Sequence, residues 1–356
     1  MTAVRRIIST STFLTLAAAS VIGLFARPLK AQGRLPGLDS FFTRTVGLDA
    51  NQMAALSRGE VVKRVLRTAD DRDVSVIAVA HVEAPRSRFE SRERDLANAL
   101  RTPTRRAFRI FSSPADAADV QPIEVTSKDL DELKKCRPGD CNFKLPGSDM
   151  EQLRATIDWS APDAASRVSA YVRQRMLEYV ADYRQGGNAA MVVYDDNGVK
   201  SSDALVSMLN DSTYVFRAAP SLGRHLLEYP HDSLAGAIEV MFWSLDNLPH
   251  VRQVLRITHE TVYSPPELLG TTIVAAKQIY ADHYFEAGLE TLTAVDDLPS
   301  ADGASPAGFT MIAVRRYRFD HLPSGGLLNL RGRVINGLRD NVRDDVARLK
   351  REIESG

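Results

Sequence analysis

Two histidines and one aspartate, on adjacent predicted strands of the C-terminal third, could form an acid–base site. His259 lies on one strand, and Asp282 and His283 lie on the next. An imidazole beside a carboxylate can accept and return a proton near neutral pH. If the strand register allows, either histidine could contact Asp282, Glu260 or Lys277 across the pair. These are the candidate catalytic residues, but no nucleophile at a diagnostic spacing accompanies them. Ordinary hydrogen-bonded or exposed strand histidines are therefore the favoured interpretation.

The sequence lacks the usual catalytic and cofactor signatures. No two histidines stand four residues apart with a glutamate between, and neither a phosphate-binding loop nor a dinucleotide glycine fingerprint occurs. The nucleophile motif Gly-x-Ser-x-Gly is also missing. The run Asp195-Asp196-Asn197-Gly198 resembles the start of a calcium loop without its remaining ligands, and an Asn-Gly turn explains it. We expect no metal and no cofactor.

The only two cysteines, Cys136 and Cys141, flank a turn sequence, Pro138-Gly139, that would bring their sulfurs together. In an exported chain this pair is expected to form a disulfide. The alternative is half of a metal site, which needs two further ligands that no nearby histidine cluster supplies. The pair therefore predicts a disulfide that fixes a small surface loop.

Three arginines crowd the last predicted strand. Side-chain alternation places Arg316 and Arg318 on one face and Arg315 on the other, so they cannot all line one pocket. One of them could bind an anionic head group. Ion pairs on the sheet surface are the more common role for such residues and are favoured.

The first 31 residues resemble an export segment. Arg5-Arg6 precede an apolar run, Ile7–Ala26, and Ala31 offers a small residue for cleavage. We expect a cleaved signal peptide, or else an uncleaved anchor that associates with the inner membrane, and hence a periplasmic or secreted protein. The formal charge of zero becomes about −4 after removal of the four basic residues of this segment. Such a chain has no basic footprint for nucleic acid.

The strongest structural pattern is in the C-terminal quarter. Three extended runs, Val254–Ser264, Thr272–Val295 and Phe309–His321, precede a helical run, Leu327–Ile353. The helix carries one apolar stripe at spacings of three and four, formed by Leu327, Leu330, Val334, Leu338, Val342, Val346, Leu349 and Ile353. A stripe this long must be covered, and the strands provide the cover. The sequence therefore predicts an α+β fold in which a curved antiparallel sheet grips a long C-terminal helix.

The rest of the chain is expected to extend this sheet and to carry an insertion. Residues 32–58 are interpreted as a tether with a short helix, and 59–356 as one domain. Two strand-like runs, 59–67 and 73–82, flank a polar turn and predict a β-hairpin. The segment at about 103–235 is mostly helical and is expected to pack on the sheet, because a compact domain would not hold so long a bare loop.

The predicted hairpin ends in Val82-Glu83-Ala84-Pro85, and a helix carrying Phe89 follows. With the terminal strands and helix, this order resembles the START-like helix-grip proteins, which include lipid-transfer domains and polyketide cyclases. The whole chain is similar to exported bacterial proteins, a likeness that implies no activity.

The resemblance implies a cavity between sheet and helix for a lipid or another hydrophobic small molecule, bound without catalysis. The expected lining residues, for each of which a plain core role is the alternative, are Ile273, Ala275, Ile279, Phe285, Met311, Tyr317, Leu338 and Val342. Two other functions stay open. One is a cyclase- or hydrolase-type enzyme that uses the His/Asp pair, and the other is an envelope scaffold whose cavity is packed shut.

Overall fold

The structure is a computed structural model that describes residues 35, 37–194, 199–297, 308–320 and 329–356. The described residues belong to one compact unit, Gly33–Gly356. The predicted signal peptide or anchor, the calcium-like turn and the first residues of the predicted terminal helix lie outside the described residues.

The fold is α+β, as predicted, and its centre is a curved, unclosed antiparallel sheet of eight strands. The strands are β1 (Val62–Leu66), β2 (Asp73–Val82), β3 (Arg105–Ile110), β6 (Ile238–Asp246), β7 (Val254–Tyr263), β8 (Thr271–Ala281), β9 (Phe285–Asp296) and β10 (Phe309–Phe319). Their order across the sheet is β1-β2-β10-β9-β8-β7-β6-β3, so β10 joins the N-terminal hairpin to the C-terminal strands. A separate two-stranded ribbon consists of β4 (Val193–Tyr194) and β5 (Val199–Lys200).

Helices cover both faces of the sheet. They are α1 (Leu38–Ser40), a π-helix (Phe41–Val46), α2 (Ala50–Ser57), α3 (Arg86–Arg94), α4 (Leu96–Ala99), α5 (Ala117–Val120), α6 (Ser127–Leu133), α7 (Gly147–Thr156), α8 (Ala164–Gly186), a 3₁₀ turn (Gly187–Ala190), α9 (Ser201–Asp211), α10 (Thr213–Ala218), α11 (Pro220–Glu228) and α12 (Leu330–Ser355). None of the helices among the described residues has both the length and the apolar character needed to cross a bilayer.

The C-terminal helix α12 packs along one face of the sheet, against β1, β2 and β10. Its predicted stripe is confirmed, because Val334, Leu338, Val342, Val346, Leu349 and Ile353 are all buried. Burying each such side chain contributes about 1.5–3 kcal/mol, so the stripe is enough to hold the helix in place. The Asn329 side chain caps the first turn by accepting a hydrogen bond from the Gly332 amide.

The helical insertion packs on the opposite face, and its longest element is α8. Val168, Val172, Met176, Val180 and Tyr183 recur along one side of this helix and are buried against the sheet. The disulfide between Cys136 and Cys141 is present, with Cα atoms 4.7 Å apart. It lies within the insertion, and Cys136 belongs to the buried cluster.

The predicted bounds of the insertion need one correction. Residues 105–110 form β3, which pairs with β6 at one edge of the main sheet. Its sequence, Arg-Arg-Ala-Phe-Arg-Ile, carries three arginines, a composition suited to an exposed edge strand that must not pair with other chains. Because the arginines obscure the alternation of apolar and polar residues expected of a strand, this segment was predicted to belong to the helical insertion.

The predicted single run Thr272–Val295 is two strands. β8 ends at Ala281, and Asp282, His283 and Tyr284 turn the chain into β9. This turn has no glycine or proline, and Tyr284 takes the left-handed conformation at a φ of 61°. Tertiary contacts hold it, since the Leu255 amide donates to the Asp282 carboxylate at 2.9 Å. A turn without glycine or proline could not be recognised from its amino-acid composition.

The predicted tether is also wrong for residues 38–48. Residues 38–46 are helical, and the side chains Leu38, Phe41, Phe42, Val46 and Leu48 are buried. They pack with Ile77, Val79 and Ile312 of the sheet. The predicted short helix that follows is confirmed as α2, which has a capping box formed by Asp49 and Gln52.

Candidate functional site

The structure divides the eight expected lining residues between the two faces of the sheet. Ile273, Ala275 and Ile279 belong to the buried cluster beneath the helical insertion. The other five, Phe285, Met311, Tyr317, Leu338 and Val342, belong to the cluster between the sheet and α12. A single cavity cannot be lined by both sets, because the sheet itself lies between them.

The cavity found between the sheet and α12 has a volume of about 110 Å³. Its lining combines apolar side chains with eight charged ones, among them Glu260, Glu290, Arg315 and Asp345. Glu290 accepts a hydrogen bond from the Tyr317 hydroxyl at 2.6 Å and lies 3.1 Å from Arg256. Ligand pockets for apolar molecules are larger and mostly hydrophobic. This space is better explained as part of an ion-pair network.

A cavity of about 930 Å³ lies on the opposite face, which we name the crevice. Its floor is the sheet surface at Ser75, Leu289, Thr291, Val314 and Arg316. One side is formed by the N-terminal segment 41–47 together with residues 64–67. The other side is formed by residues 211–218, around α10. The two sides meet where the rings of Phe41 and Tyr214 stack at 3.9 Å. The crevice therefore exists because the N-terminal helices and the insertion cover adjacent parts of one sheet face without closing the gap.

The crevice wall combines apolar rings with positive charge. Phe41, Val46, Tyr214, Val215, Phe216 and Leu289 supply the apolar part, and five arginines stand against the single aspartate Asp211. A volume in this range is typical of small-molecule sites.

The five arginines differ in what they already bind. Arg316 is buried and pairs with Asp73 and with Asp211, the latter at 2.7 Å, so the predicted sheet-surface ion pair is confirmed. Arg64 donates to the Gln52 side chain at 2.5 Å.

Arg44, Arg67 and Arg217 are exposed and have neither an ion pair nor a side-chain hydrogen bond to any residue that the structure describes. Their guanidinium groups are available to an anion.

His259, the first predicted catalytic residue, is fully buried on β7. Its cross-strand partner is Lys277, but the ammonium group donates to the Asn188 side chain and to the Leu226 carbonyl, at 3.0 and 2.9 Å. Glu260 lines the small cavity on the α12 side of the sheet. The imidazole of His259 instead contacts Tyr183, Tyr229, His225 and Glu239. His225 and Glu239 were not among the predicted site residues.

Burial and pairing set the ionisation of this group. Burial lowers the pKa of His259 to about 4 and that of Lys277 to about 7. Burial alone would raise the pKa of Glu239, but its contacts with His225 and His259 outweigh this effect and lower it to about 2. Burial would lower the pKa of His225, and the Glu239 carboxylate reverses that direction.

Asp282 and His283, the other predicted pair, form a separate cluster. The Asp282 carboxylate lies 3.0 Å from His283 Nδ1, a contact between neighbours in the β8–β9 turn and not the predicted contact across a strand pair. Arg252 contacts His283 and two acids of α6, at 2.8 Å from Glu132 and 3.2 Å from Asp129. Burial would lower the pKa of His283, but the adjacent Asp282 carboxylate outweighs this effect and raises the pKa overall. The cluster ties α6 to the β8–β9 turn, and His259 is not part of it.

Comparison with family models, with curated proteins and with solved structures gives no match for this chain.

Proposed function

We propose that the protein binds, without a chemical reaction, an amphiphilic small molecule with an acidic head group and an apolar tail in the crevice. The observation that carries this proposal is the combination of an apolar, aromatic wall with three arginines that have no described acidic partner. Arginine suits this role because its planar fork matches carboxylate and phosphate oxygens.

The proposal keeps the lipid-binding function expected from the helix-grip resemblance, but it places the ligand on the other face of the sheet. The volumes support this location, since about 930 Å³ is available in the crevice and about 110 Å³ beside α12. Export of the chain, with a cleaved signal peptide or a membrane anchor, stays part of the proposal. An exported carrier of this kind would meet fatty acids or lipid head groups at the cell envelope.

The test uses calorimetric titration of the purified protein with laurate, and with dodecyl maltoside as a neutral amphiphile of equal tail length. We expect saturable laurate binding. The triple change Arg44→Gln, Arg67→Gln and Arg217→Gln should weaken it at least about tenfold, or about 1.4 kcal/mol. Affinity for dodecyl maltoside should change little, because its head group carries no charge to lose.

The matched control removes the same charge from three exposed arginines outside the crevice, Arg94, Arg154 and Arg351. Neither triple variant should change the free energy of unfolding by more than about 0.5 kcal/mol per site. Absence of laurate binding by the unaltered protein would reject the proposal. Equal laurate affinity in the two triple variants would reject the crevice as the site.

A further inference from the structure

Two histidines and a glutamate converge on the sheet face beneath the insertion. Glu239 lies on β6 and His259 on β7, where His259 pairs with Met241, two positions after Glu239. Glu239 and His259 are thus diagonal neighbours on one face, within side-chain reach. His225 is added from α11, one turn before the helix ends.

The three side chains present their ligand atoms to a common point. Glu239 Oε1 lies 2.5 Å from His225 Nε2 and 3.3 Å from His259 Nε2. One ligand atom of each residue lies within 4.8 Å of the other two. Ligands of a tetrahedral zinc ion at bond lengths of 2.0–2.1 Å stand about 3.3 Å apart. The distance from Glu239 to His259 already matches this spacing, and the distance from Glu239 to His225 would have to open from 2.5 Å.

The Nδ1 atoms of both imidazole rings, which face away from the common point, already have hydrogen-bond partners. His225 Nδ1 lies 2.5 Å from the Asp232 carbonyl, which can only accept, so Nδ1 carries the proton and Nε2 is the inner nitrogen. His259 Nδ1 lies 3.1 Å from the Tyr183 hydroxyl. Hydrogen bonds from the outer ring nitrogen to a carbonyl or hydroxyl are the usual means of orienting a metal-binding histidine.

His259 Nε2 supplies an independent observation. The side chain is fully buried, and this nitrogen makes no hydrogen bond to any described residue, although it lies 3.3 Å from Glu239 Oε1. A buried polar atom without a partner costs about 1–3 kcal/mol. A cation at the meeting point of the three side chains would give this nitrogen its partner.

We propose that His225, Glu239 and His259 bind a divalent transition-metal ion, with Zn²⁺ the best match to two imidazoles and one carboxylate. Three protein ligands leave a fourth position for water or a small molecule. Lys277 does not compete for Glu239, because its ammonium group is bonded to Asn188 and to the Leu226 carbonyl.

The backbone around the centre is also specific. Gly187 has a φ of 54°, and a Cβ there would lie 1.6 Å from the Tyr229 carbonyl oxygen. Only glycine allows this approach. This close approach positions Tyr229 beside the proposed ion, with its ring centroid 4.4 Å from that of His259.

The other group of possible ligands, Asp129, Glu132 and His283, does not support the same proposal. The Arg252 guanidinium already contacts all three side chains, with 3.2 Å from its Nη1 to His283 Nε2. Its positive charge stands where an ion would have to bind.

The test titrates the chelator-treated full chain with Zn²⁺ alone by calorimetry. We expect one ion per chain, and at least a hundredfold loss of affinity in Glu239→Gln and in His225→Gln. Tyr183→Phe should lower affinity by about 10–100-fold, as loss of an orienting partner does. His283→Gln, in the group formed by Asp129, Glu132 and His283, is the control. This variant should bind Zn²⁺ as tightly as the unaltered protein.

Far- and near-ultraviolet circular dichroism shows whether each variant is folded, and Glu239→Gln suits the test best because this side chain is 37% exposed and isosteric with its replacement. Failure of the unaltered chain to bind Zn²⁺ would overturn the proposal. Full affinity in folded Glu239→Gln, or loss of affinity in His283→Gln alone, would overturn the assigned ligands.

Discussion

The two faces of the sheet differ in how they are covered. On the α12 face, one helix with a continuous apolar stripe lies over the strands, and charged residues beside it pair with one another. On the other face, two groups of helices of separate origin cover adjacent areas and leave the crevice between them. The face with the simpler sequence pattern is thus filled by apolar packing and by ion pairs. The groups available to a ligand lie on the face assembled from many segments.

The first prediction tests whether the α12 face is structural. Leu338 is 1% exposed in the centre of the stripe, so Leu338→Ala should lower the free energy of unfolding by about 2–5 kcal/mol. Laurate affinity of the folded variant should stay unchanged, since Leu338 does not line the crevice. Urea unfolding and calorimetry measure the two quantities.

Leu269→Ala is the matched control, because Leu269 is 56% exposed and should change stability by less than about 0.5 kcal/mol. A Leu338→Ala variant that is as stable as this control would show that α12 is not held by its stripe. A large loss of laurate affinity in folded Leu338→Ala would place the ligand on the α12 face.

The second prediction tests the ion pairs on the α12 face through the pH dependence of the free energy of unfolding. Burial would raise the pKa of Glu290, but the charges of Arg315 and Arg256 outweigh it and lower the pKa to about 2, from an ordinary value of 4.5. A lowered pKa stabilises the fold fully above 4.5, and this contribution is lost as pH falls from 4.5 towards 2. Glu290→Gln should therefore cost about 2 kcal/mol near neutral pH, and less in acid.

Urea unfolding across this pH range checks the expectation, with Glu151→Gln as the control. Glu151 is exposed and has no described side-chain partner, so its removal should leave the pH profile of stability unaltered. A cost for Glu290→Gln that stays constant down to pH 2 would contradict the assigned charge pairing.

Much of the fold could be predicted because its patterns are local. The stripe of α12 repeats over several turns, and the predicted bounds of the second hairpin strand, 73–82, agree with β2. The elements that were missed depend on distant partners. The β8–β9 turn is held by Leu255, and the helices of 38–46 are recognised only through the sheet surface that they cover.

The candidate sites were less accessible to sequence reasoning. His259 was selected for its chemistry, but its neighbours Glu239 and His225 depend on the β6–β7 register and on the docking of α11. The crevice is lined by residues as distant as Phe41 and Arg316. A cluster of arginines and aromatic residues spread over some hundreds of positions has no local spacing to detect.

The most direct test of the central claim is amide hydrogen exchange of the full chain with and without saturating laurate. We predict slower exchange in 41–47, 64–67 and 211–218, the segments that form the sides of the crevice, and no change in α12 around Leu338 and Val342. Slower exchange confined to α12 and the strands beneath it would contradict the account.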